Sequence, residues 1–458
     1  MKYLVIASLL MFAPLLVEVS TGLDVKSSAA AAERRKVPPM KERTYKIISE
    51  AQILIDPDSI PVEEGEEKPD VVANPPKAVE MLREALTRRG LNGYEIAQIW
   101  NTLAFAYYTL DDLDGTKRAY EKVLEQGTIS LALEMSSTRA LFQLYYADEN
   151  YAKAIEFIDK WMVLNEKPDT DITFIKATAY YQMERLDDAL TTALRLEEIA
   201  AELGKDMKEN WLYIQVVLYN EKKDYDKVIE LLERMIVSFP KKQYWMHLAG
   251  MYGEKEWDDK ALSAYYAAYT QGMFEKETEV IMLSQRLLNA EVPFEATRIL
   301  EKGFKDELIE KNEKNIRLLA TAYTMSKDYD NAIDAWKEAS DFAKDGEIFY
   351  RLAQALSNED RHKEAVVSYR DALDRDKRNK RNKDDNDDND DKGLKDVEEV
   401  QFWLGISLMQ LEEWDDAQKA FRLAAKDKDR RKSANQYIQY ITNERKRQAA
   451  IKEMISAS

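Results

Sequence analysis

Apolar positions recur along this chain with a helical period. In "YWMHLAGMYGEKEWDDKALSAYYAAY", residues 244 to 269, Trp245, Leu248, Ala249 and Tyr252 fall at i, i+3, i+4 and i+7, one face of a helix. The polar run "GEKEWDDK" breaks that face, and Ala261, Tyr265 and Ala268 begin a second helix with the same spacing. The pattern predicts two short helices joined by a tight turn. It then repeats: the small residue that starts the second helix returns as Ala78, Thr116, Ala154, Ala189, Val228, Ala261, Ala296, Ala332, Ala365 and Ala417. Successive gaps are 38, 38, 35, 39, 33, 35, 36, 33 and 52, so ten helical hairpins cover almost everything after the N-terminal segment.

This arrangement resembles the tetratricopeptide repeat, with its period near 34 residues and its order of large residue, Leu, small residue, Tyr, then Ala, aromatic, Ala. Leu103, Ala104 and Tyr107 recur as Leu319, Ala320 and Tyr323, while Tyr120, Trp336, Tyr369 and Phe421 hold the second-helix aromatic position. Pro240 ends one hairpin where the family pattern has its terminal proline. Two hairpins depart from the pattern: Lys176 replaces a leucine in the fourth, and Ser284 with Leu287 replaces the small-plus-tyrosine pair in the seventh. The resemblance implies an all-α fold, a right-handed superhelical solenoid of about ten hairpins over residues 33–429. A C-terminal capping helix and tail are expected over residues 430–458. A lone hairpin leaves much of its apolar stripe exposed and must stack on a neighbour to bury it.

Two stretches interrupt the register. An acidic, proline-bearing loop over 56–74 separates the helices of the first hairpin, and the segment 376–395 accounts for the gap of 52. The latter contains "KRNKRNKDDNDDNDDKG", expected to be a charged, disordered insertion. Calcium ligation fits it poorly: a loop from Asp388 through Asp390 to Glu399 puts Lys392 where a carboxylate belongs and Gly393 at the wrong position. Nucleic acid fits no better, because no aromatic residues interleave the basic half.

At the N-terminus, Lys2 precedes an apolar run from Tyr3 to Val17, and "SSAAAAERR" offers small residues for cleavage after Ala32. The run is shorter than the ~20 residues of a membrane span. A cleaved signal over 1–32 is expected, with an uncleaved anchor as the alternative, and a bacterial periplasm as the compartment. No other stretch could cross a bilayer.

Composition narrows the chemistry. A net charge of −18 repels nucleic acid, and the absence of cysteine removes disulfides, thiolate metal sites and thiol nucleophiles. The two histidines, His247 on a first helix and His362 in a turn, lie in different hairpins. The acidic pairs "WDDK", "WDDAQ", "RLDDAL" and "DYDNAI" all precede second helices, where a carboxylate accepts free backbone N–H groups. No catalytic residue, metal site or cofactor is expected.

What remains is a surface for holding another chain. In tetratricopeptide arrays the first helices line the concave face, which here presents Asn101, Phe105, Tyr108, Arg139, Gln143, Tyr146, Phe174, Tyr181, Tyr213, Asn220, Gln285, Arg317, Tyr350, Gln354, Phe402 and Met409. Tyrosines among Asn, Gln and Arg suit an extended peptide backbone. The carboxylate-gripping Lys-Asn-Asn-Lys-Arg set of chaperone-type members is not reproduced by Asn101, Phe105, Arg139 and Gln143. The basic positions Arg430, Arg431, Lys432, Arg445, Lys446 and Arg447 add a possible contact with anionic lipid or an acidic partner.

"ERRKVPPMKERTYKIISEAQ" and "LNGYEIAQIWNTLAFAYYTLDDLDGTKRAYEKVL" are similar to the exported tetratricopeptide proteins that accompany TonB, ExbB and ExbD energy-transduction systems in Gram-negative bacteria. That resemblance implies a periplasmic accessory binding a segment of the transducer in support of iron-complex uptake. An envelope-assembly or polysaccharide-export scaffold, and a carbohydrate-acting hydrolase, stand as alternatives.

Overall fold

The computed structural model describes residues 37–57, 72–342, 346–381 and 394–457, so the expected signal over 1–32 lies outside the described residues. Every regular element among them is a helix, and the chain divides into two compact units, residues 1–214 and 215–458. The first unit stacks α1 (Glu42–Ile55) with α2 (Pro75–Leu86), α3 (Gly93–Thr109) with α4 (Leu113–Leu124), α5 (Leu131–Ala147) with α6 (Tyr151–Asn165), and α7 (Thr170–Gln182) with α8 (Leu186–Glu202). The division falls within α9 (Glu209–Glu221).

The second unit continues with α10 (Tyr225–Ser238), α11 (Lys242–Glu254) with α12 (Asp258–Thr270), α13 (Glu277–Asn289) with α14 (Pro293–Lys305), and α15 (Glu313–Met325) with α16 (Tyr329–Phe342). It ends with α17 (Glu347–Asn358) and α18 (His362–Arg381), α19 (Val397–Gln410) and α20 (Trp414–Ala424), closed by α21 (Arg431–Ala457). All ten small second-helix residues, from Ala78 to Ala417, are buried, as close backbone approach within a hairpin requires. Gly405 shows how close: a Cβ there would meet the Phe421 ring at 2.9 Å.

The hairpin turns share one closure that the sequence pattern did not reveal. Asp111, Glu149, Glu184, Lys223, Glu256, Glu291, Lys327, Asp360 and Glu412 all take left-handed backbone with φ from 53° to 60°. The next residue's N–H then bonds back to a carbonyl of the first helix, as from Asp112 to Tyr107 at 2.9 Å and from Trp257 to Tyr252 at 2.8 Å. Glycine usually holds such a position, since a side chain there costs roughly 1–2 kcal/mol. Charged residues hold all nine in this chain.

The capping expectation is corrected in detail. Trp257, Glu413 and Arg185 are the N-caps of α12, α20 and α8 and make no side-chain cap bond. Asp258, Asp259, Asp415, Asp416, Asp187 and Asp188 sit in the first turns, where they favour the positive helix end by charge. True side-chain caps of second helices come from Asn74, Asp112, Asn150, Asp224 and, as expected for "DYDNAI", Asp328, which accepts from the Asn331 N–H at 3.4 Å. His362 is likewise the first residue of α18 rather than a turn residue.

Hairpins are tied to one another through the repeat tyrosines. Tyr145 donates to Glu121 of the preceding second helix at 2.5 Å, Tyr252 to Glu233 at 2.6 Å, and Tyr323 to Glu301. In the first unit Arg83 takes the carboxylate's place and donates to the Tyr107 hydroxyl at 2.8 Å. The irregular hairpins keep the stack by local substitutes. Lys176 reaches Asp159 of α6 at 2.6 Å, and Ser284 turns its hydroxyl inward onto the Val280 carbonyl at 2.9 Å.

Both insertions are closed at their roots. The Asn74 N–H donates to the Leu54 carbonyl at 2.7 Å, so the two ends of the acidic loop meet although residues 58–71 lie outside the described residues. At the second, the Asp376 carboxylate accepts from the Leu394 N–H at 3.0 Å, and Leu394 packs into the core. Gly346 lines this root, where a Cβ would meet the Ala372 carbonyl oxygen. The expected start of disorder at 376 is corrected, because α18 continues to Arg381; residues 382–393 lie outside the described residues.

Candidate partner-binding faces

Polar bonds within each unit bring the first helices of successive hairpins side by side. Thr44 of α1 donates to Glu95 of α3 at 2.7 Å, and Tyr146 of α5 to Thr178 of α7 at 3.0 Å. Glu95 is fully buried, and backbone donors from Asn92 and Lys41 with the Thr44 hydroxyl hold its carboxyl below the usual range against the opposing effect of burial. In the second unit Lys242 of α11 meets Glu279 of α13 at 2.9 Å, Asn315 of α15 meets Glu277 of α13 at 2.5 Å, and Ser357 of α17 meets Ser407 of α19 at 3.0 Å.

In the first unit this layer leaves Tyr108 and Arg139 exposed, with Asn101, Gln143, Tyr181 and Tyr213 half-buried beside them. Phe105 packs on the core of the first two hairpins and Phe174 on the Leu196–Trp211 cluster, so both rings are largely engaged in packing. Tyr146 is half-buried, its ring edge-on to Tyr151 at 5.2 Å, and burial pushes its hydroxyl pKa upward.

In the second unit the candidate residues separate into open and sealed sites. Gln285 of α13 and Arg317 of α15 meet across a cleft of about 220 Å³ whose walls are Ile281, Leu318, Lys314, Asn315 and Thr321. Tyr350, by contrast, is only 4% exposed; its hydroxyl accepts from Gln354 at 2.7 Å and is pushed far up by burial and the Glu399 carboxylate. Met409 packs on the C-terminal core. Phe402 joins Phe421 and Tyr437 in an aromatic cluster with centroids 5.0–5.8 Å apart, and also edges a cleft of about 340 Å³ with Ser433, Gln436, Tyr437 and Tyr440. Asn220 is exposed on α9.

Sequence reasoning missed Lys314 and Asn315, although Lys314 lies one helical turn before Arg317 and so shares its face. The C-terminal helix α21, expected as a cap, packs on α20 and sets Tyr437 against Phe402 of α19. The open cleft offers two cations, two primary amides, of which that of Asn315 is already bonded to Glu277, and an apolar wall. Those groups can hold an extended chain by its backbone and one amphipathic side chain. His247 stands apart on α11, half-buried, with its pKa lowered by burial.

No protein-family model matches the chain, and no curated protein matches it. Among solved structures, a tetratricopeptide repeat protein from Parabacteroides merdae is 13% identical with a TM-score of 0.33, over 62% of this chain and 99% of its own. MamA is 22% identical with a TM-score of 0.32, over 38% of this chain and 90% of its own. A yeast Sti1 TPR2AB domain in complex with pHSP90 is 16% identical with a TM-score of 0.28, over 68% of this chain and 98% of its own. These are partial overlaps. The helical hairpins of this chain rest on their own register of buried small residues and bonded tyrosines.

Proposed function

We propose that this protein is a periplasmic interaction scaffold that holds an extended segment of a partner protein against its first-helix faces. It acts as an accessory of a TonB, ExbB and ExbD energy-transduction system that serves uptake of iron complexes. The observation that carries the scaffold reading is the cleft of Gln285, Lys314 and Arg317, where polar side chains from adjacent first helices converge on space large enough for a side chain. The likeness of the N-terminal hairpins to exported proteins of that system supports the choice of partner. Binding by recruitment needs no catalytic residue; the partner is positioned, and many modest contacts add up.

The test is direct binding of the purified protein to the periplasmic segments of TonB and ExbD, alongside growth of a deletion strain on ferric siderophore. The reading expects saturable binding that weakens when Arg317 and Gln285 are replaced by Ala, and impaired growth. Absent binding with unchanged growth contradicts the transducer role.

A further inference from the structure

The C-terminal helix is longer than the hairpin it caps. α21 has 27 residues against 11 in α20. Ala434 and Ile441 are fully buried, and Gln418 of α20 reaches Thr442 at 3.3 Å, so the first half of α21 covers α20. Arg445 then meets Asp415 in the first turn of α20 at 2.7 Å, which marks where α20 ends. Residues 446–457 continue past it.

This overhang is amphipathic in an unusual place. Ile451 is 44% exposed, Met454 74% and Ile455 70%, at i, i+3 and i+4 on one face, and Tyr440 lies on the same face three turns earlier at 53%. Cations border it: Arg447 is paired to Glu444 on its own helix, while Lys446 and Lys452 carry no ion pair among the described residues. In a chain of net charge −18, the segment 445–457 thus holds four cations and one carboxylate.

We propose that the overhang of α21 is a peripheral docking element for an anionic lipid surface, with Ile451, Met454 and Ile455 entering the interfacial region and Lys446, Arg447 and Lys452 meeting headgroup phosphates. A convex helix face with long apolar side chains and flanking cations matches a fluid, negatively charged surface. The overhang itself, residues 446–457, lines neither of the two clefts described above. Among the described residues no helix is long and apolar enough to cross a membrane, so the contact is peripheral. This inference does not depend on the partner held by the first-helix faces.

The experiment is co-sedimentation of the full chain with vesicles of phosphatidylglycerol and phosphatidylcholine against phosphatidylcholine alone, at low and high salt. Two variants share the N-terminal apolar run, so their comparison isolates α21: Ile451→Ser with Met454→Ser and Ile455→Ser, and Lys446→Gln with Arg447→Gln and Lys452→Gln. All six positions are exposed, and an unchanged thermal transition checks the fold. The expected result is a preference for anionic vesicles that falls about tenfold or more in each variant, with the cation dependence fading at high salt. Equal binding to both vesicle types, or a preference that survives both variants, overturns the proposal. So does a dimer in sedimentation equilibrium that Ile451→Ser dissolves, which assigns the face to a second copy. Polyglutamate binding as tight as vesicle binding, and indifferent to the apolar variant, assigns it to an acidic partner instead.

Discussion

Arg317 and Tyr350 occupy one position of the repeat, each three residues before the small residue of its helix, Ala320 or Ala353; Gln285 and Gln354 share another, one residue after Ser284 or Ala353. The first pairing of helices, α13 with α15, leaves an open cleft, whereas the second, α17 with α19, is sealed. The difference lies in what the next hairpin supplies. At the sealed seam Glu399 of the next hairpin encloses the tyrosine from one side and the Tyr369 ring of its own hairpin, 6.1 Å from that of Tyr350, from the other, and Ser357 bonds Ser407 of the next hairpin. At the open one the next first helix offers Lys314 and Arg317, and a cleft is left between them and Gln285. Position in the repeat therefore decides which residues face the layer; the neighbour decides whether they stay open or pack.

The largest expected effect separates the two sites by stability. Tyr350→Ala is expected to cost about 3–5 kcal/mol in urea denaturation, as for other buried aromatic truncations. Arg317→Gln at the equivalent position is expected to stay within about 0.5 kcal/mol. Comparable losses in both would erase the contrast.

Alkaline titration sharpens it next. Burial pushes the Tyr369 hydroxyl to about 12, and burial with the Glu233 carboxylate does the same for Tyr252. Because their folded values lie above the ordinary value of 10, the stability they contribute is complete below pH 10 and is lost as pH rises toward 12. Thermal melts between those values are expected to fall, and Tyr369→Phe to fall less steeply. A flat profile would contradict the enclosed seam.

The turns yield a smaller effect of opposite sign. Glu291→Gly relieves a left-handed side chain and is expected to stabilise the seventh hairpin by roughly 1 kcal/mol in urea denaturation. At the bottom of the range, replacing residues 382–393 by a Gly/Ser linker about half as long is expected to shift stability by less than about 0.5 kcal/mol, because the shorter linker still reaches back from Arg381 to the root at Asp376 and Leu394. Asp376→Ala, which opens that root, is expected to cost about 1 kcal/mol.

The hairpin stack was legible from the sequence because its cause is local. A small residue such as Ala249 or Ala261 recurs wherever two helices must approach, and the period survives substitutions as large as Lys176. The turn closure was not legible, since Glu256 and Lys327 carry no mark of left-handed backbone; their conformation comes from the bond that follows them. The first-helix faces were legible as faces. Tyr350 looked the same as any groove tyrosine, because Glu399 is 49 residues away in sequence and reaches it only through the stack. Likewise the helical start of the charged insertion was hidden by composition that elsewhere favours solvent.

The central claim is that the open first-helix face holds the partner, and site-specific photocrosslinking tests it most directly. A photoreactive residue placed at Gln285, at the mouth of the cleft, is compared in living cells with one at Val237 on α10, which is 83% exposed. The account predicts a discrete adduct from Gln285 that is lost on Arg317→Gln, and none from Val237. Adducts of equal yield from both positions, or from Val237 alone, would contradict it.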